Sequence, residues 1–92
     1  MPAPLRWPDK DPADVLDFTM DFAGALGADS IATVAWTVPA GLTQGTTTNS
    51  TTAATVWLSG GSASTDYSIT CRITTAGGRT IERTALLLVK DL

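Results

Sequence analysis

The fold of this chain is decided by residues 67–90, YSITCRITTAGGRTIERTALLLVK. In residues 67–74, apolar and polar side chains alternate with the period of two that a half-buried strand has. Residues 76–78 (AGG) then tolerate the positive φ of a tight turn, and residues 79–90 alternate again. We therefore predict a β-hairpin. One of its faces is expected to consist of Tyr67, Ile69, Cys71, Ile73, Ile81, Arg83, Ala85, Leu87 and Val89.

Four upstream segments show related extended patterns. Residues 13–22 (ADVLDFTMDF) alternate strictly, and residues 31–38 (IATVAWTV) place Ala32, Val34, Trp36 and Val38 on one face. Residues 42–52 are polar and rich in Thr, and residues 53–58 (AATVWL) predict a further strand. Six or seven short strands, spaced by roughly 8–12 residues with turn signals between them, are typical of an immunoglobulin-like sandwich. We predict an all-β fold, a small immunoglobulin-like β-sandwich with an extended N-terminal arm.

The N-terminal segment differs in composition from the rest. Residues 1–12 (MPAPLRWPDKDP) hold four of the five prolines, so we predict an extended Pro-rich arm followed by a single β-sandwich domain at 13–92. A chain of 92 residues has no room for a second core. Leu5 and Trp7 lie on this arm, and a bulky apolar side chain there is expected to dock on something, Trp7 being the best candidate for contact with another chain.

Composition disfavours several classes of partner. The formal net charge is −3 and the chain has six Lys and Arg residues, too few for a patch that neutralises phosphates. Nucleic acid and membrane surfaces are therefore poor partners, and no apolar run approaches the ~20 residues that span a bilayer. A single cysteine allows no internal disulfide, and residues 1–12 do not resemble an export signal. We expect synthesis in a reducing cytoplasm.

Catalytic and metal-binding chemistry is missing from the sequence. Histidine is absent, which removes the commonest general base and metal ligand. Cys71 alternates with apolar residues and is expected to be a buried thiol. Asp9, Asp11 and Asp14 lack the spacing of a calcium loop, and we read them as a solvated acidic cluster. Asp17 and Asp21 belong to a polar strand face. We predict no enzyme activity, no catalytic residues, no cofactor and no metal.

Protein interfaces are the more promising sites. Residues 85–89 (ALLLV) are apolar on both faces of the last strand, so either the chain's own arm or a neighbouring subunit is expected to cover the second face. Trp57 shares a face with Thr55 and is expected to be partly exposed, whereas Trp36 is expected in the core. The interface candidates are Leu5, Trp7, Trp57, Leu86 and Leu88.

Several motifs resemble one known family over nearly the whole chain. They are residues 7–12 (WPDKDP), 15–18 (VLDF), 21–22 (DF), 36–41 (WTVPAG), 56–61 (VWLSGG) and 74–80 (TTAGGRT). In these segments the chain resembles the small tailed-bacteriophage structural proteins of the fibre–tail adaptor type. The resemblance implies a virion protein, present in several copies and made in the host bacterial cytoplasm. Its partners would be other phage structural proteins, of tail, fibre or capsid, and copies of itself.

Three functions remain open at this stage. The first is an adaptor that joins tail or baseplate components to fibres. The second is a capsid decoration (cement) protein of the phage head. The third is a carbohydrate- or receptor-binding module of a tail fibre, in which Trp57 would stack on a sugar and the polar residues 43–52 would hydrogen-bond it.

Overall fold

The computed structural model describes residues 5–92, so residues 1–4 of the predicted arm lie outside the described residues. In the described part, seven strands and one short helix follow each other along the chain. They are β1 (Leu5–Arg6), β2 (Leu16–Asp21), α1 (Ala23–Leu26), β3 (Ile31–Thr37), β4 (Leu42–Asn49), β5 (Ala53–Gly60), β6 (Thr65–Thr75) and β7 (Thr80–Val89).

The strands form two sheets, and the prediction of an immunoglobulin-like sandwich is confirmed. One sheet has the order β1-β7-β6-β3, and the other has the order β2-β5-β4. This division of β2 to β7 is that of the immunoglobulin constant-type fold, in which the second, fourth and fifth strands face the third, sixth and seventh. The first strand, β1, pairs in parallel with β7 at the edge of the larger sheet.

The predicted hairpin is β6 and β7. Their pairing runs without interruption from Thr65 opposite Val89 to Thr74 opposite Thr80. At the turn, Gly78 has φ +87° and its N–H donates to the carbonyl of Thr75 at 3.0 Å, a conformation that residues with a Cβ rarely adopt. Cys71 is buried on the inner face of β6, as expected.

Tyr67 fixes the corner where the chain crosses from β5 to β6. Its hydroxyl accepts a 2.8 Å hydrogen bond from the N–H of Ser62, a few residues upstream. A tyrosine at the start of the sixth strand that bonds back to the preceding corner is a hallmark of immunoglobulin-like sandwiches. The corner residue Gly61 (φ +97°) packs closely on Val89, where an added Cβ would stand 2.9 Å from a methyl carbon.

Two local features differ from the predicted pattern. The pairing of β3 with β6 shifts register between Ile31 and Thr33, so Ile31 packs against the core and Ala32 is exposed, which corrects the predicted face. Such a bulge reverses the alternation locally. The segment predicted as a strand over 13–22 is a strand only at 16–21, and the helix α1 follows it directly.

The arm docks on its own domain, and this corrects the prediction for Trp7. Trp7 is 6% exposed, and its ring stacks on that of Phe18 at a centroid distance of 4.9 Å. Its backbone N–H donates to the carbonyl of Leu86 at 2.9 Å. The Trp7 ring also lies 6.4 Å, between centroids, from the ring of Trp36 on β3 of the larger sheet. Because its whole ring is enclosed between the sheets, Trp7 is a core residue rather than an anchor for another chain.

Lys10 extends this docking and joins the two sheets. Its side chain is fully buried, and its Nζ donates to the carbonyls of Gly60 at 2.7 Å and Asp11 at 3.0 Å. Its backbone bonds to Leu88 and Lys90 beside the end of β7. One ammonium group therefore connects the end of β5 to the edge of the other sheet.

No helix in residues 5–92 has the length and apolar character needed to cross a membrane. Within the same residues, no three side chains of His, Cys, Asp or Glu are grouped so that they would hold a metal ion.

Candidate protein-interaction surfaces

The outer face of the larger sheet is polar and neutralises its own charges. Leu86 and Leu88 point outward from β7 and are half-buried. The guanidinium of Arg6 on β1 lies 3.1 Å from the carboxylate of Asp66 on β6, so this ion pair crosses β7 over the two leucines. The arm thus supplies part of the cover that the doubly apolar strand requires.

The rest of this face follows the same pattern. Arg72 and Glu82, which are direct neighbours across β6 and β7, form a second ion pair at 3.4 Å. Thr70 and Thr84 share a hydrogen bond at 2.9 Å, and Thr33 and Thr74 share another. Opposite charges and paired hydroxyls that satisfy each other leave little on this face for a partner to recognise.

The outer face of the smaller sheet has a different character. Trp57 stands on the central strand β5 with 39% of its surface exposed. Its direct cross-strand neighbour on β2 is Asp17, and Thr19 and Thr55 share a 2.8 Å hydrogen bond beside them. Leu16, the first residue of β2, is also exposed, but it lies on the other face of the sheet, opposite buried Leu58. Trp57 is therefore an exposed aromatic side chain at the centre of an otherwise polar face.

One end of the sandwich is held by a clamp of Asp29 and Arg79. Arg79, at the tip of the β6–β7 hairpin, donates to the Asp29 carboxylate at 3.1 Å and to the carbonyls of Ala25 and Leu26 in α1. Asp29 also accepts from the N–H of Gly77 at 2.9 Å. The clamp therefore ties the β2–β3 connection to the hairpin.

The electrostatics of this clamp favour a charged carboxylate. A hydrogen bond from the Thr75 hydroxyl, followed by one from the N–H of Ser30, lowers the pKa of Asp29 from 3.8 to about 2. Its side chain is 13% exposed. The motif at 74–80 is thus explained by its role in fixing a loop.

At the opposite end, the acidic cluster is ordered by backbone bonds. Asp11 accepts from the N–H of Leu92 and from that of Ala13, and these two bonds, in that order of importance, lower its pKa. Asp14 accepts from the N–H of Asp11 at 3.1 Å. These carboxylates build a turn and hold Leu92 beside it.

Cys71 is shielded from reagents by the two sheets. Burial raises the pKa of its thiol to about 12, so the nucleophilic thiolate is scarce at neutral pH.

The chain matches a known family over most of its length. The model of the family described as "Podophage GP4 fiber-tail adaptor protein gp77" matches residues 10–88. The chain belongs to this family. The resemblance to fibre–tail adaptors noted in the sequence is thereby confirmed. No curated protein matches the chain.

Membership of the fibre–tail adaptor family makes the chain a phage structural protein and a virion component. It implies binding to other phage tail or fibre proteins. The matched range begins at Lys10, the buried residue that joins the two sheets, and ends at Leu88.

The interface candidates fall into three groups in this family member. Leu5 (46% exposed) and Trp57 are open to solvent, Leu86 and Leu88 are half-covered by the Arg6–Asp66 pair, and Trp7 is in the core. The sequence reading missed the pairing of Asp17 with Trp57, although the alternation of both strands already placed each side chain on an outer face. It also missed Lys10, because a buried lysine has no periodic signal.

Proposed function

We propose that this chain is a non-enzymatic adaptor that joins tail or baseplate components of a bacteriophage to its fibres. The observation that carries the proposal is the family match over residues 10–88. The sandwich supports it, because both of its ends are tied together by networks of hydrogen bonds, those of Asp29 and Arg79 and those of Asp11. A rigid body with exposed apolar side chains suits a connector that transmits position between two larger components.

We propose that two surfaces of the adaptor contact neighbouring proteins. Trp57, on the outer face of the smaller sheet, lies on the side opposite the self-neutralised face of the larger sheet. Leu5, at the free edge of β1, offers a second contact. We assign the primary contact to the smaller sheet and a subsidiary one to the β1 edge with Leu86 and Leu88. Synthesis in the host cytoplasm and assembly in several symmetric copies belong to the same proposal.

Cryo-electron microscopy of the particle tests this role. The expected result is density for this sandwich at the tail end, between the tail tube or baseplate and the fibres. Copy number provides an independent measure, because a tail ring with cyclic symmetry holds roughly six to twelve copies, whereas a capsid decoration protein is present in hundreds. Density on the head, or a copy number in the hundreds, would replace the adaptor with the decoration protein.

A further inference from the structure

Trp57 offers an open aromatic surface. It lies on the central strand of the smaller sheet, and Gly45 of β4 lies beside it. A Cβ at Gly45 would stand 3.3 Å from the Cβ of Trp57. Since glycine brings no side chain there, nothing from Gly45 covers the indole on that side.

On the β2 side, the indole has a carboxylate as its neighbour. Asp17 is directly opposite Trp57 in the β2–β5 pairing. Within residues 5–92, Asp17 accepts no hydrogen bond and forms no ion pair. Asp21, on the same strand, accepts from the N–H of Ala23 instead. The carboxylate of Asp17 is therefore available to a partner.

Basic residues are absent from this side of the molecule. The sequence contains no Lys or Arg from residue 11 to residue 71, a span that includes all of β2, β4 and β5. The basic residues lie elsewhere, and four of them already form ion pairs in the described chain: Arg6, Arg72, Arg79 and Lys90. The face around Trp57 thus carries uncompensated negative charge.

These features identify the partner by its chemistry. We propose that Trp57 and Asp17 together receive an arginine side chain from a different virion protein. Its planar guanidinium stacks on the indole and donates hydrogen bonds to the carboxylate. This proposal rests on the proposed function, because it supposes a neighbouring structural protein.

Two other occupants fit less well. A second copy of the chain would bring the same negative face toward itself, and like charges brought together at an interface oppose association. A sugar needs a concave site with free hydrogen-bonding groups. No pocket opens on the surface formed by residues 5–92, and the hydroxyls of Thr19 and Thr55 are bonded to each other.

Substitutions in phage particles test the proposal. Trp57→Ala and Asp17→Asn are compared with Glu82→Gln, which removes one negative charge from the outer face of the other sheet. Incorporation is measured by quantitative mass spectrometry of purified virions, and the unfolding midpoint of each purified variant is measured alongside. We expect Trp57→Ala to reduce incorporation about tenfold or more, and Asp17→Asn to reduce it about fivefold. The unfolding midpoints of Asp17→Asn and Glu82→Gln are expected to stay at the wild-type value. Glu82→Gln is expected to incorporate normally.

A photoreactive phenylalanine analogue at position 57 identifies the partner in assembled particles. The expected product joins this chain to an arginine-containing peptide of a different virion protein. Normal incorporation of the folded Asp17→Asn variant, or cross-linking to a second copy or to a glycan, would overturn the proposal. If the chain is found on the head, and the cross-link still reaches an arginine peptide, the adaptor role fails while the arginine receptor stands.

Discussion

At the level of single residues, Trp7 shows how tertiary structure can reassign a side chain. Its surroundings in the sequence are those of a flexible arm, yet its ring stacks on Phe18 and fills the space between the sheets. Removal of a buried tryptophan leaves a cavity that a small core cannot refill. We expect Trp7→Ala to lower the free energy of unfolding by about 3–5 kcal/mol, a large fraction of a small domain's stability.

Leu5→Ala is the matched control for this measurement, because Leu5 lies two residues before Trp7 on the same arm and is exposed. Its expected cost is about 0.5 kcal/mol. Urea unfolding of the purified chains, followed by tryptophan fluorescence or circular dichroism, gives both values. An unchanged midpoint for Trp7→Ala would mean that the ring is not part of the core.

Lys10 makes a second prediction at the residue scale. Lys10→Met keeps the apolar stem but leaves the carbonyls of Gly60 and Asp11 without their donor. We expect a loss of about 2 kcal/mol in the free energy of unfolding, since hydrogen bonds from charged groups are among the stronger ones. Lys90→Met removes only the exposed 3.7 Å pair with Asp9 and should cost about 0–1 kcal/mol. Equal losses in the two variants would contradict a bridging role for Lys10.

At the scale of elements, the sequence predicted a strand or turn best where a long alternation of apolar and polar residues is present. The β6–β7 hairpin was predictable because its alternation is long and Gly77-Gly78 marks the turn. The helix α1 was not, because four residues with a glycine among them carry no helical period. The bulge in β3 depends on pairing with β6, which local sequence does not contain. The same holds for the Trp57–Asp17 pair, which requires the register of two strands far apart in sequence.

The clamp between α1 and the hairpin gives a pH-dependent prediction. The pKa of Asp29 falls from 3.8 to about 2 on folding, so the unfolded chain binds this proton more readily than the folded chain. The stabilisation is therefore fully present above the unfolded pKa and is lost as the pH falls toward 2. Asp29→Asn is expected to lose less stability than the wild type between pH 4 and pH 2, measured by urea unfolding at each pH.

Asp11 titrates in the same direction, so part of the acid dependence should remain in Asp29→Asn. The double variant Asp11→Asn with Asp29→Asn is expected to have the flattest profile. An acid dependence in Asp29→Asn equal to that of the wild type would show that the clamp does not hold a charged carboxylate.

At the scale of the whole molecule, the two outer faces are chemically unlike. The outer face of the larger sheet pairs its charges, as Arg6 with Asp66 and Arg72 with Glu82. On the outer face of the smaller sheet, Trp57 is 39% exposed. Its neighbour Asp17 forms no ion pair within the described residues. Such asymmetry suits a connector, because one face resists unwanted contacts while the other selects a partner. The docked arm has a further consequence for the larger sheet. Because β1 pairs with β7, it protects the edge of β7 from strand addition by another chain.

Cys71 provides a probe of this whole assembly. Its thiol lies between the sheets, so a maleimide reaches it only when the sandwich opens. In the isolated chain, Trp7→Ala should raise the labelling rate about 100-fold or more, in proportion to its loss of stability, while Leu5→Ala leaves the rate nearly unchanged. Equal rates for the wild type and Trp7→Ala would show that labelling proceeds through local motion instead.

Partners that bind only the folded chain make opening rarer, so labelling of Cys71 in intact particles is expected to be slower than in the isolated chain. A particle that labels as fast as the free protein would mean that its neighbours do not stabilise the sandwich.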